Sequence, residues 1–568
     1  MRFRLLPVLL ASLVLPGCII IPLPAKRQAV PAGQPGMVSA ADPRAAAAGV
    51  EMLRQGGSAA DAAFATLLAL TVVEPQSSGI GGGSFLVYDG GTGTPDTYDG
   101  REMAPAAARP DWFFVGGKPL NFPDVIPGGR SVGVPGNVRL MALAHAREGR
   151  LPWAQLFAPA IRLARDGFAI TPRLHGMLGN SARTAGYTPA GRALFYGPDG
   201  APKPVGTVVR NPELAVFLDR LARGGPEVFY AGQNAAAIAS AVQHAPTNPA
   251  PMTAADIARF QAKQRPAVCG SYRGYRICGM GPPSSGGTTV LAILKQLERF
   301  DLRAEGPASP RSWHLIADSM RLAFADRNRF LADPDFVSVP VSGLIDPGYL
   351  ARRSSLLSPT RALVKAEAGT PAGATRVTAG LTPDIISTSH FVAVDRWGEV
   401  ATITSTIESA FGSGLMVNGY YLNNELTDFS LVPTADGVPV ANRVEAGKRP
   451  RSSMAPTIVY GPDGRVRLAV GAAGGPTIIA QVAKAIIGVI DWNMTAQAAI
   501  AAPVIYAPGD TVFVERGSAL EAMAPALRAY GHRVEVRDPS FKANAIERVG
   551  GRWVGAADPR SEGAAAGE

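Results

Sequence analysis

Serine and threonine hydroxyls are concentrated between residues 386 and 406, where side chains of this type could do nucleophilic chemistry. Phe391 to Val394 is short, apolar and β-prone, and a turn signal follows at Asp395 to Gly398. Val400 to Thr406 then alternates, so that every second side chain is a threonine on one face. The pattern predicts a hairpin with a hydroxyl-rich face. Threonine is also a common strand residue, so a purely structural hairpin stays open at this point.

A hydroxyl nucleophile needs a base and donors for an oxyanion. A threonine hydroxyl reacts poorly at neutral pH without an adjacent base, but a threonine at a chain start has its own α-amine, with a reference pKa of roughly 7.7–8.0. Farther along, Leu468 to Val470 predicts a strand, Gly471 to Gly475 a tight turn and Pro476 to Ile490 an apolar helix. Free N–H groups at such a turn could bind an oxyanion, although the glycines could equally serve only to turn the chain.

Several short motifs occur in a fixed order along the chain. Those after residue 386 are Ser387–Phe391, Phe411–Gly414, Leu422–Ser430, Lys448–Thr457 and Gly474–Gly475. Those before it are Gly79–Ser84, Arg101–Pro105, Gly133–Gly136 and Pro282–Gly287. As an ordered set they resemble the γ-glutamyltransferase (γ-glutamyltranspeptidase) family of N-terminal-nucleophile hydrolases, over about residues 38 to 563. Any one motif alone would be weak.

The resemblance implies a fold and a domain organisation. The expected fold is α+β, a four-layer αββα sandwich of the N-terminal-nucleophile hydrolase type. The chain is expected to cut itself between residues 387 and 388. The large subunit, residues 38–387, and the small subunit, residues 388–568, would then form one interleaved heterodimer of the two cleavage products.

The resemblance also implies the catalytic residues. Thr388 becomes the nucleophile once cleavage frees its α-amine, and Thr406 matches a second threonine that hydrogen-bonds the nucleophile. On spacing alone Thr406 could be an ordinary strand residue. Gly474 and Gly475 match the oxyanion hole. No cofactor and no metal are expected.

A γ-glutamyl donor carries an α-carboxylate and an α-ammonium, and both need partners. By resemblance, Arg101, Ser452 and Ser453 hold the carboxylate, with Arg101 as a bidentate fork. Glu425 and Asp428 hold the ammonium.

Position 408 departs from the family pattern, because well-characterised transferases have Asn there and this chain has Glu408. Glu408 could strengthen ammonium binding, could force one carboxyl to be protonated by like-charge repulsion, or could mark a changed donor specificity. The segment from Phe429 to Lys448 is also shorter than in lid-bearing members, which would open the site to bulky acceptors or to water.

The expected activity is that of a γ-glutamyl hydrolase or transpeptidase. It would act on glutathione and related γ-glutamyl amides through an ester on Thr388, which water or an amino-acid or peptide acceptor resolves. One alternative is an amidase similar to the cephalosporin or glutaryl acylases, but a donor without an α-amine would make little use of the acidic residues at 408, 425 and 428. Another is a non-catalytic anchored binding relative, which the retained nucleophile and glycine pair disfavour.

The N-terminus predicts export. Residues 1–18 combine arginines, an apolar run and the sequence Leu15–Cys18, which resembles a bacterial lipobox. We expect lipidation of Cys18, with residues 19–37 as a tether and the protein held at the membrane in the periplasm. Pro16 is unusual at its position, so simple signal cleavage or an uncleaved anchor stay open.

The two remaining cysteines flank a predicted hairpin. A two-residue turn at Arg273 and Gly274 would place Cys269 opposite Cys278, near disulfide reach, which suits an oxidising compartment. Two buried free thiols are the alternative. The six histidines are scattered along the sequence, so no metal motif is recognised.

Length and composition indicate a large folded core. The 568 residues are 47% hydrophobic and 18% charged, and the net charge is +10. No run of Lys or Arg concentrates this charge, so we expect a solvated basic surface and no nucleic-acid partner. Ala45 to Leu70 predicts two helices, and residues 140 to 330 are mainly helical in pattern. Ser354 to Pro383 loses periodicity and predicts an exposed, flexible connector.

Overall fold

The computed structural model describes residues 34–380, 387–539 and 541–568. The predicted signal segment 1–18, with Cys18, lies outside these residues, as does most of the tether. The last tether residue, Met37, already belongs to a strand. Within the described ranges, no helix is both long and apolar enough to cross a membrane.

Helices dominate the first two thirds of the chain. Their bounds are α1 Pro43–Arg54, α2 Ala59–Val73, α3 Phe122–Val125, α4 Asn137–Glu148, α5 Ala158–Asp166, α6 Pro172–Asn180, α7 Ala182–Ala185, α8 Pro189–Phe195, α9 Pro212–Gly224, α10 Glu227–Tyr230, α11 Gly232–Gln243, α12 Ala254–Ala258, α13 Gly286–Leu297, α14 Leu302–Glu305, α15 Pro310–Phe330, α16 Val341–Leu344, α17 Pro347–Ser355, α18 Thr477–Ile490, α19 Ala496–Ala501 and α20 Ala519–Ala529. Two short 3₁₀ helices lie at Trp153–Phe157 and Glu425–Asp428.

Strands come from both ends of the chain. Their bounds are β1 Met37–Ala40, β2 Gly83–Asp89, β3 Asp96–Asp99, β4 Phe114–Val115, β5 Lys118–Pro119, β6 Phe168–Ala169, β7 Val208–Val209, β8 Lys263–Arg265, β9 Val268–Tyr272, β10 Tyr275–Gly279, β11 Ser389–Val394, β12 Val400–Thr406, β13 Met416–Val417, β14 Tyr420–Tyr421, β15 Thr434–Ala435, β16 Val438–Pro439, β17 Thr457–Tyr460, β18 Val466–Ala473, β19 Ile505–Tyr506, β20 Thr511–Glu515, β21 Arg533–Arg537, β22 Lys542–Val549, β23 Arg552–Ala557 and β24 Ala564–Gly567.

Two large antiparallel sheets form the centre of the molecule. The first sheet has the order β24-β1-β11-β12-β2-β3-β8, and the second has the order β23-β22-β18-β17-β10-β9. Strands β11 and β12 of the first sheet contact β18 and β22 of the second. Helices α1 and α2 pack on the first sheet, and α13 and α18 pack on the second. The result is a mixed α/β fold.

Alternate side chains of the central strands enter different cores. On β11, Phe391 and Ala393 pack in the cluster that contains α1 and α2. Val392 and Val394 pack instead in the cluster shared with the second sheet. This period of two is what a strand buried on both faces requires, and it fixes the register of the hairpin at the site.

Both sheets combine strands from the two sides of residue 388. In the first sheet β24, β11 and β12 follow this residue, whereas β1, β2, β3 and β8 precede it. In the second sheet β9 and β10 precede it, and the other four strands follow it. Neither segment alone contains all the strands of either large sheet.

The predicted local elements are present. Strands β11 and β12 form the hairpin, and the two helices expected between Ala45 and Leu70 are α1 and α2. Ser58 and Asp61 form a capping box at the start of α2, so the Gly-Gly-Ser break ends one helix and begins the next.

The cysteine hairpin has the predicted two-residue turn. Arg273 and Gly274 have φ values of 53° and 82°, as a tight turn that matches strand twist requires. Cys269 pairs directly with Cys278 across β9 and β10, and the two sulfur atoms lie 2.07 Å apart in a disulfide.

The segment after α17, predicted as an exposed, flexible connector, is partly held by hydrogen bonds. It has no helix or strand up to residue 380, and Val364 is 99% exposed. However, backbone N–H groups along it donate to helix α15: Leu363 to Asp318, Gly369 to Asp326 and Gly380 to Asn328. The connector therefore lies along α15 and is hydrogen-bonded to it at three points.

Candidate active site

Thr388 and Thr406 lie side by side at the end of the central hairpin. Ser389 pairs with Ser405 in the register of β11 and β12, so the next residues outward also face each other. The Thr388 hydroxyl donates to the Thr406 hydroxyl at 3.1 Å, and both side chains are buried. The Thr406 oxygen also accepts from the Glu408 N–H at 2.8 Å. The second threonine thus orients the first.

The backbone at Thr388 is strained in the uncut chain. Its φ is 110°, a region that a β-branched residue rarely adopts. Such a conformation costs on the order of 1–3 kcal/mol and persists only where the surroundings enforce it. Ser387 is held at the same time, because its hydroxyl donates to the Gln76 carbonyl at 2.7 Å.

Gly474 and Gly475 form the turn between strand β18 and helix α18. Their φ values are 124° and 58°, which only glycine adopts without strain. Thr477 closes the turn, since its hydroxyl donates to the Gly474 carbonyl at 2.7 Å. No hydrogen bond among the described residues uses the N–H of either glycine. Two backbone donors beside a helix start are therefore available to an oxyanion.

Arg101 lies at the centre of a buried acidic cluster. Its guanidinium contacts the carboxylates of Glu425 and Asp428 and donates to the backbone carbonyls of Pro450 and Arg451. In the uncut chain these carboxylates occupy the fork that was predicted to bind a donor's α-carboxylate.

Glu408 completes this cluster. Oxygens of Glu408, Glu425 and Asp428 lie within 4.8 Å of one another. Burial, and then the charges of Asp428 and Glu425, raise the pKa of Glu408 well above its ordinary value. Burial raises the pKa of Glu425 to about 7. Of the three possibilities for Glu408, these contacts favour like-charge repulsion that keeps one carboxyl protonated until a second cation joins Arg101.

Glu102 is a further member that the sequence analysis missed. It is fully buried, with a carboxylate oxygen 3.8 Å from the Arg101 guanidinium. Burial, and then the charge of Glu425, raise its pKa well above the ordinary value. Its place next to Arg101 in the sequence was the signal that could have found it.

The two predicted serines take different roles. The Ser452 hydroxyl accepts from the Met454 N–H at 3.1 Å. The Ser453 hydroxyl accepts from the Arg327 guanidinium at 2.5 Å, and the same guanidinium donates to Ser285 at 2.8 Å. Arg327 is a second buried cation near the site, and no motif pointed to it because it lies in the middle of α15.

A cavity of about 750 Å³ lies near Arg327, and none of the predicted site residues lines it. Its wall includes Arg327, Ser430 and Pro476, which places it next to Ser453, to Asp428 and to the glycine turn. Strand β15 forms part of one side, and the rings of Phe324, Tyr506 and Phe513 contribute apolar surface.

Comparison with known proteins decides the family. The family model described as Gamma-glutamyltranspeptidase matches residues 45–568. The chain belongs to the gamma-glutamyltranspeptidase family. It is thus an enzyme of this family, as the ordered motifs predicted.

Relatives within the gamma-glutamyltranspeptidase family have more than one activity. The chain is 36% identical over 552 residues to the glutathione hydrolase proenzyme of Bacillus subtilis strain 168, covering 95% of this chain and 92% of that protein. It is 35% identical to the acylase ACY 1 proenzyme of Pseudomonas sp. strain SE83, covering 94% and 93%. The crystal structure of cephalosporin acylase from Bacillus halodurans superimposes with a TM-score of 0.83 at 27% identity, covering 97% and 99%.

Two of the histidines that are scattered along the sequence meet in the structure. His314 and His532 are 218 residues apart in sequence, yet their Nδ1 and Nε2 atoms lie 2.7 Å apart. They form with Asp318 a group whose spacing could hold a metal ion. His314 also donates from Nε2 to the Ser358 carbonyl, which leaves its Nδ1 to accept from His532. The nitrogens that face each other are thus engaged in a hydrogen bond.

Proposed function

We propose that this chain is a γ-glutamyl hydrolase and transpeptidase that acts on glutathione and related γ-glutamyl amides. The observation that carries the proposal is the buried cluster of Glu408, Glu425 and Asp428 around Arg101. Largely buried carboxylates beside one guanidinium suit a head group that brings both an ammonium and a carboxylate. The curated Bacillus subtilis relative is named a glutathione hydrolase proenzyme.

Maturation begins with the hydroxyl of Thr388. Its oxygen attacks the carbonyl carbon of Ser387, the peptide C–N bond breaks, and the nitrogen takes the hydroxyl proton. Water then hydrolyses the resulting ester, which leaves a carboxylate on Ser387 and a free α-amine on Thr388. The strained φ of Thr388 and its hydrogen bond to Thr406 support this step, because cleavage removes the constraint on that residue.

Turnover uses the freed amine as the base. It takes the hydroxyl proton of Thr388 while the oxygen attacks the γ-carbonyl carbon of the donor. The N–H groups of Gly474 and Gly475 stabilise the oxyanion. The amine product leaves with the proton, and a γ-glutamyl ester remains on Thr388. Water or an amino-acid or peptide acceptor attacks the ester and restores the enzyme.

The proposal extends to architecture and location. The face-to-face contact of the two sheets, with helices packed on each, supports the four-layer αββα arrangement. The cleavage products, residues 38–387 and 388–568, remain together as a heterodimer. The disulfide between Cys269 and Cys278 supports export to an oxidising compartment. We place the mature enzyme in the periplasm, anchored through a lipid on Cys18.

An acylase acting on glutaryl side chains is the second candidate. It is favoured by the similarity to the acylase ACY 1 proenzyme and to the Bacillus halodurans cephalosporin acylase structure. A glutaryl donor has no α-ammonium, so its binding would leave the acidic cluster with Arg101 and no second cation. We therefore rank this candidate below the γ-glutamyl enzyme.

A paired assay tests the proposal. Purified protein is given γ-glutamyl anilide and glutaryl anilide, each with and without a dipeptide acceptor. We expect faster release from the γ-glutamyl anilide, and an acceptor that increases the rate would show transfer. Faster release from the glutaryl anilide would establish the acylase, and release from neither would leave a binding protein.

The nucleophile is tested on the same material. N-terminal sequencing of the smaller fragment should begin Thr-Ser-His-Phe. The variant Thr388→Ala should remain a single chain and be inactive, with its fold checked by thermal melting. A fully active uncut wild-type chain would refute the mechanism, because no free amine would exist.

A further inference from the structure

A buried ion pair lies behind the nucleophile strand. Lys542, the first residue of β22, donates from Nζ to Glu74 Oε2 at 2.7 Å and to Ser77 Oγ at 3.1 Å. The side chains of Lys542 and Glu74 are 2% and 4% exposed. Buried ion pairs add little stability over apolar side chains of similar size, so stability alone does not account for this pair.

The pair contacts the residue that follows the nucleophile. The Ser389 hydroxyl donates to the same Glu74 oxygen at 2.6 Å, and the Lys542 ammonium lies 3.3 Å from the Ser389 oxygen. One covalent step separates Ser389 from Thr388. The charges of the pair are therefore close to the amine that cleavage frees, inside a region that excludes water.

The same lysine lies beside the glycine turn. Lys542 pairs in the β18–β22 ladder with Ala473, the residue before Gly474. It thus connects the start of β11 in the first sheet to the end of β18 in the second. A shift of this side chain would change the distance between the nucleophile and the proposed oxyanion donors.

We propose that Glu74 and Lys542 are positioning residues that hold Thr388 and balance the charge around its α-amine. The proposal rests on the proposed function, in which this amine is the base. A carboxylate nearby favours the protonated amine, and an ammonium nearby favours the neutral amine. With both present the two effects offset each other, and the amine keeps an affinity for protons suited to neutral pH.

Other charged and titratable groups face this region from neighbouring elements. Arg173 on α6 lies 3.8 Å from the second oxygen of Glu74, and the charge of Asp42, at the start of α1, acts on Lys542. Glu408 follows β12, and burial lowers the pKa of His390 on β11 to about 3, so this imidazole is neutral. These groups are the same in every variant compared below. They therefore affect the pKa of the α-amine equally in all variants and do not contribute to the differences between them.

Two variants that each remove one charge give opposite expected results. The measurement is the acid limb of the pH profile of kcat, recorded at saturating γ-glutamyl anilide. Because the donor is then already bound, titration of the donor-binding carboxylates does not contribute to this limb. Glu74→Gln leaves an uncompensated ammonium and should move the limb to lower pH by about 0.5–1 unit. Lys542→Met removes the ammonium and leaves Glu74 with only the more distant Arg173, so it should move the limb to higher pH by about the same amount. A loss of packing alone would not give opposite signs.

Matched variants separate position from packing. Lys542→Arg keeps the charge and should restore the wild-type limb. Lys484→Met makes the same change at another buried lysine, whose Nζ donates to the carbonyls of Ile500 and Ala502 on the outer side of the second sheet, and should leave the limb in place. Ser389→Ala keeps both charges and should slow self-cleavage about tenfold without moving the limb.

The outcomes are distinct from those that test the proposed function. A folded but uncut Lys542→Met protein, melting like Thr388→Ala, would also support the positioning role. Limbs that do not move, or that move in the same direction in both cut variants, would overturn it. If Lys542→Met does not fold, the rate of self-cleavage of Ser389→Ala decides instead. A wild-type rate in that variant would overturn the positioning role. In each of these cases an active enzyme with Thr388 at its N-terminus leaves the proposed function intact.

Discussion

At the residue scale, the carboxyl group of Glu408 is the feature that we expect to distinguish the two candidate donors. It lies among other buried carboxylates, where burial and neighbouring charges raise its pKa. A donor with an α-ammonium relieves this repulsion, whereas a glutaryl donor does not. The charge at this position, more than its shape, should therefore decide donor preference.

Glu408→Gln keeps the shape and removes the charge. It should raise KM for a γ-glutamyl donor about ten- to a hundredfold, because a hydrogen bond to a charged group is worth about 1.5–3 kcal/mol. We expect kcat to fall less, since the contact is made before and during reaction. Steady-state kinetics with both anilides measures this. Glu445→Gln, which alters a carboxylate bound to Lys448, is the matched control.

A contrary result has a clear meaning. If Glu408→Gln leaves the γ-glutamyl KM unchanged and impairs the glutaryl anilide, the ammonium role is wrong. The acylase would then become the better description.

Donor binding should also depend on pH. Burial raises the pKa of Glu425 to about 7, so below that pH the cluster holds an extra proton that competes with the ammonium. As pH rises through about 7 the carboxylates ionise, and KM for the γ-glutamyl anilide should fall about three- to tenfold between pH 6 and pH 8. KM for the glutaryl anilide is the control. A parallel fall for that substrate would exclude the cluster as the cause.

Among elements, the β9–β10 hairpin makes its own prediction. The disulfide between Cys269 and Cys278 closes a short loop, and in the chain-entropy model it contributes about 2–3 kcal/mol to the free energy of unfolding. The double variant Cys269→Ala/Cys278→Ala should lose about that amount in chemical denaturation. Intact mass with and without reductant is the direct check. Two alkylatable thiols in the folded, oxidised protein would refute the bridge.

Elements with local signals could be predicted from the sequence. The β11–β12 hairpin follows from alternation, the Cys hairpin from its turn residues, and the strand–turn–helix at Gly474 from glycines between apolar runs. The ordered motifs then identified Thr388 and Thr406 as a pair, and the register of the hairpin brings them within hydrogen-bond distance.

Elements that depend on distant partners could not be predicted. Arg327 reaches Ser453 from the middle of a helix, and His314 meets His532 across 218 residues. Lys542 lies 468 residues from Glu74. None of these side chains has a local pattern that differs from an ordinary surface or core residue. The hydrogen bonds between the connector and α15 could not be predicted for the same reason, because the acceptor side chains lie on a different element.

At the scale of the whole molecule, the interleaved sheets should hold the two cleavage products together. Cleavage breaks one covalent bond but leaves the ladders β1–β11 and β2–β12 intact, and both join strands from opposite sides of residue 388. The mature enzyme should therefore elute in gel filtration like the uncut Thr388→Ala protein, while a denaturing gel resolves two bands. Elution of two separate species under native conditions would contradict this.

The shared strands also change how the protein can recover after unfolding. Before the cut, every strand of both sheets belongs to one molecule, so refolding is a first-order process that does not depend on dilution. After the cut, β11 and β24, which pair with β1, and β12, which pairs with β2, belong to another polypeptide. Refolding becomes a second-order encounter between two chains, neither of which can complete either large sheet alone. Self-cleavage thus produces the active enzyme, and it also makes refolding of the unfolded enzyme inefficient at low protein concentration.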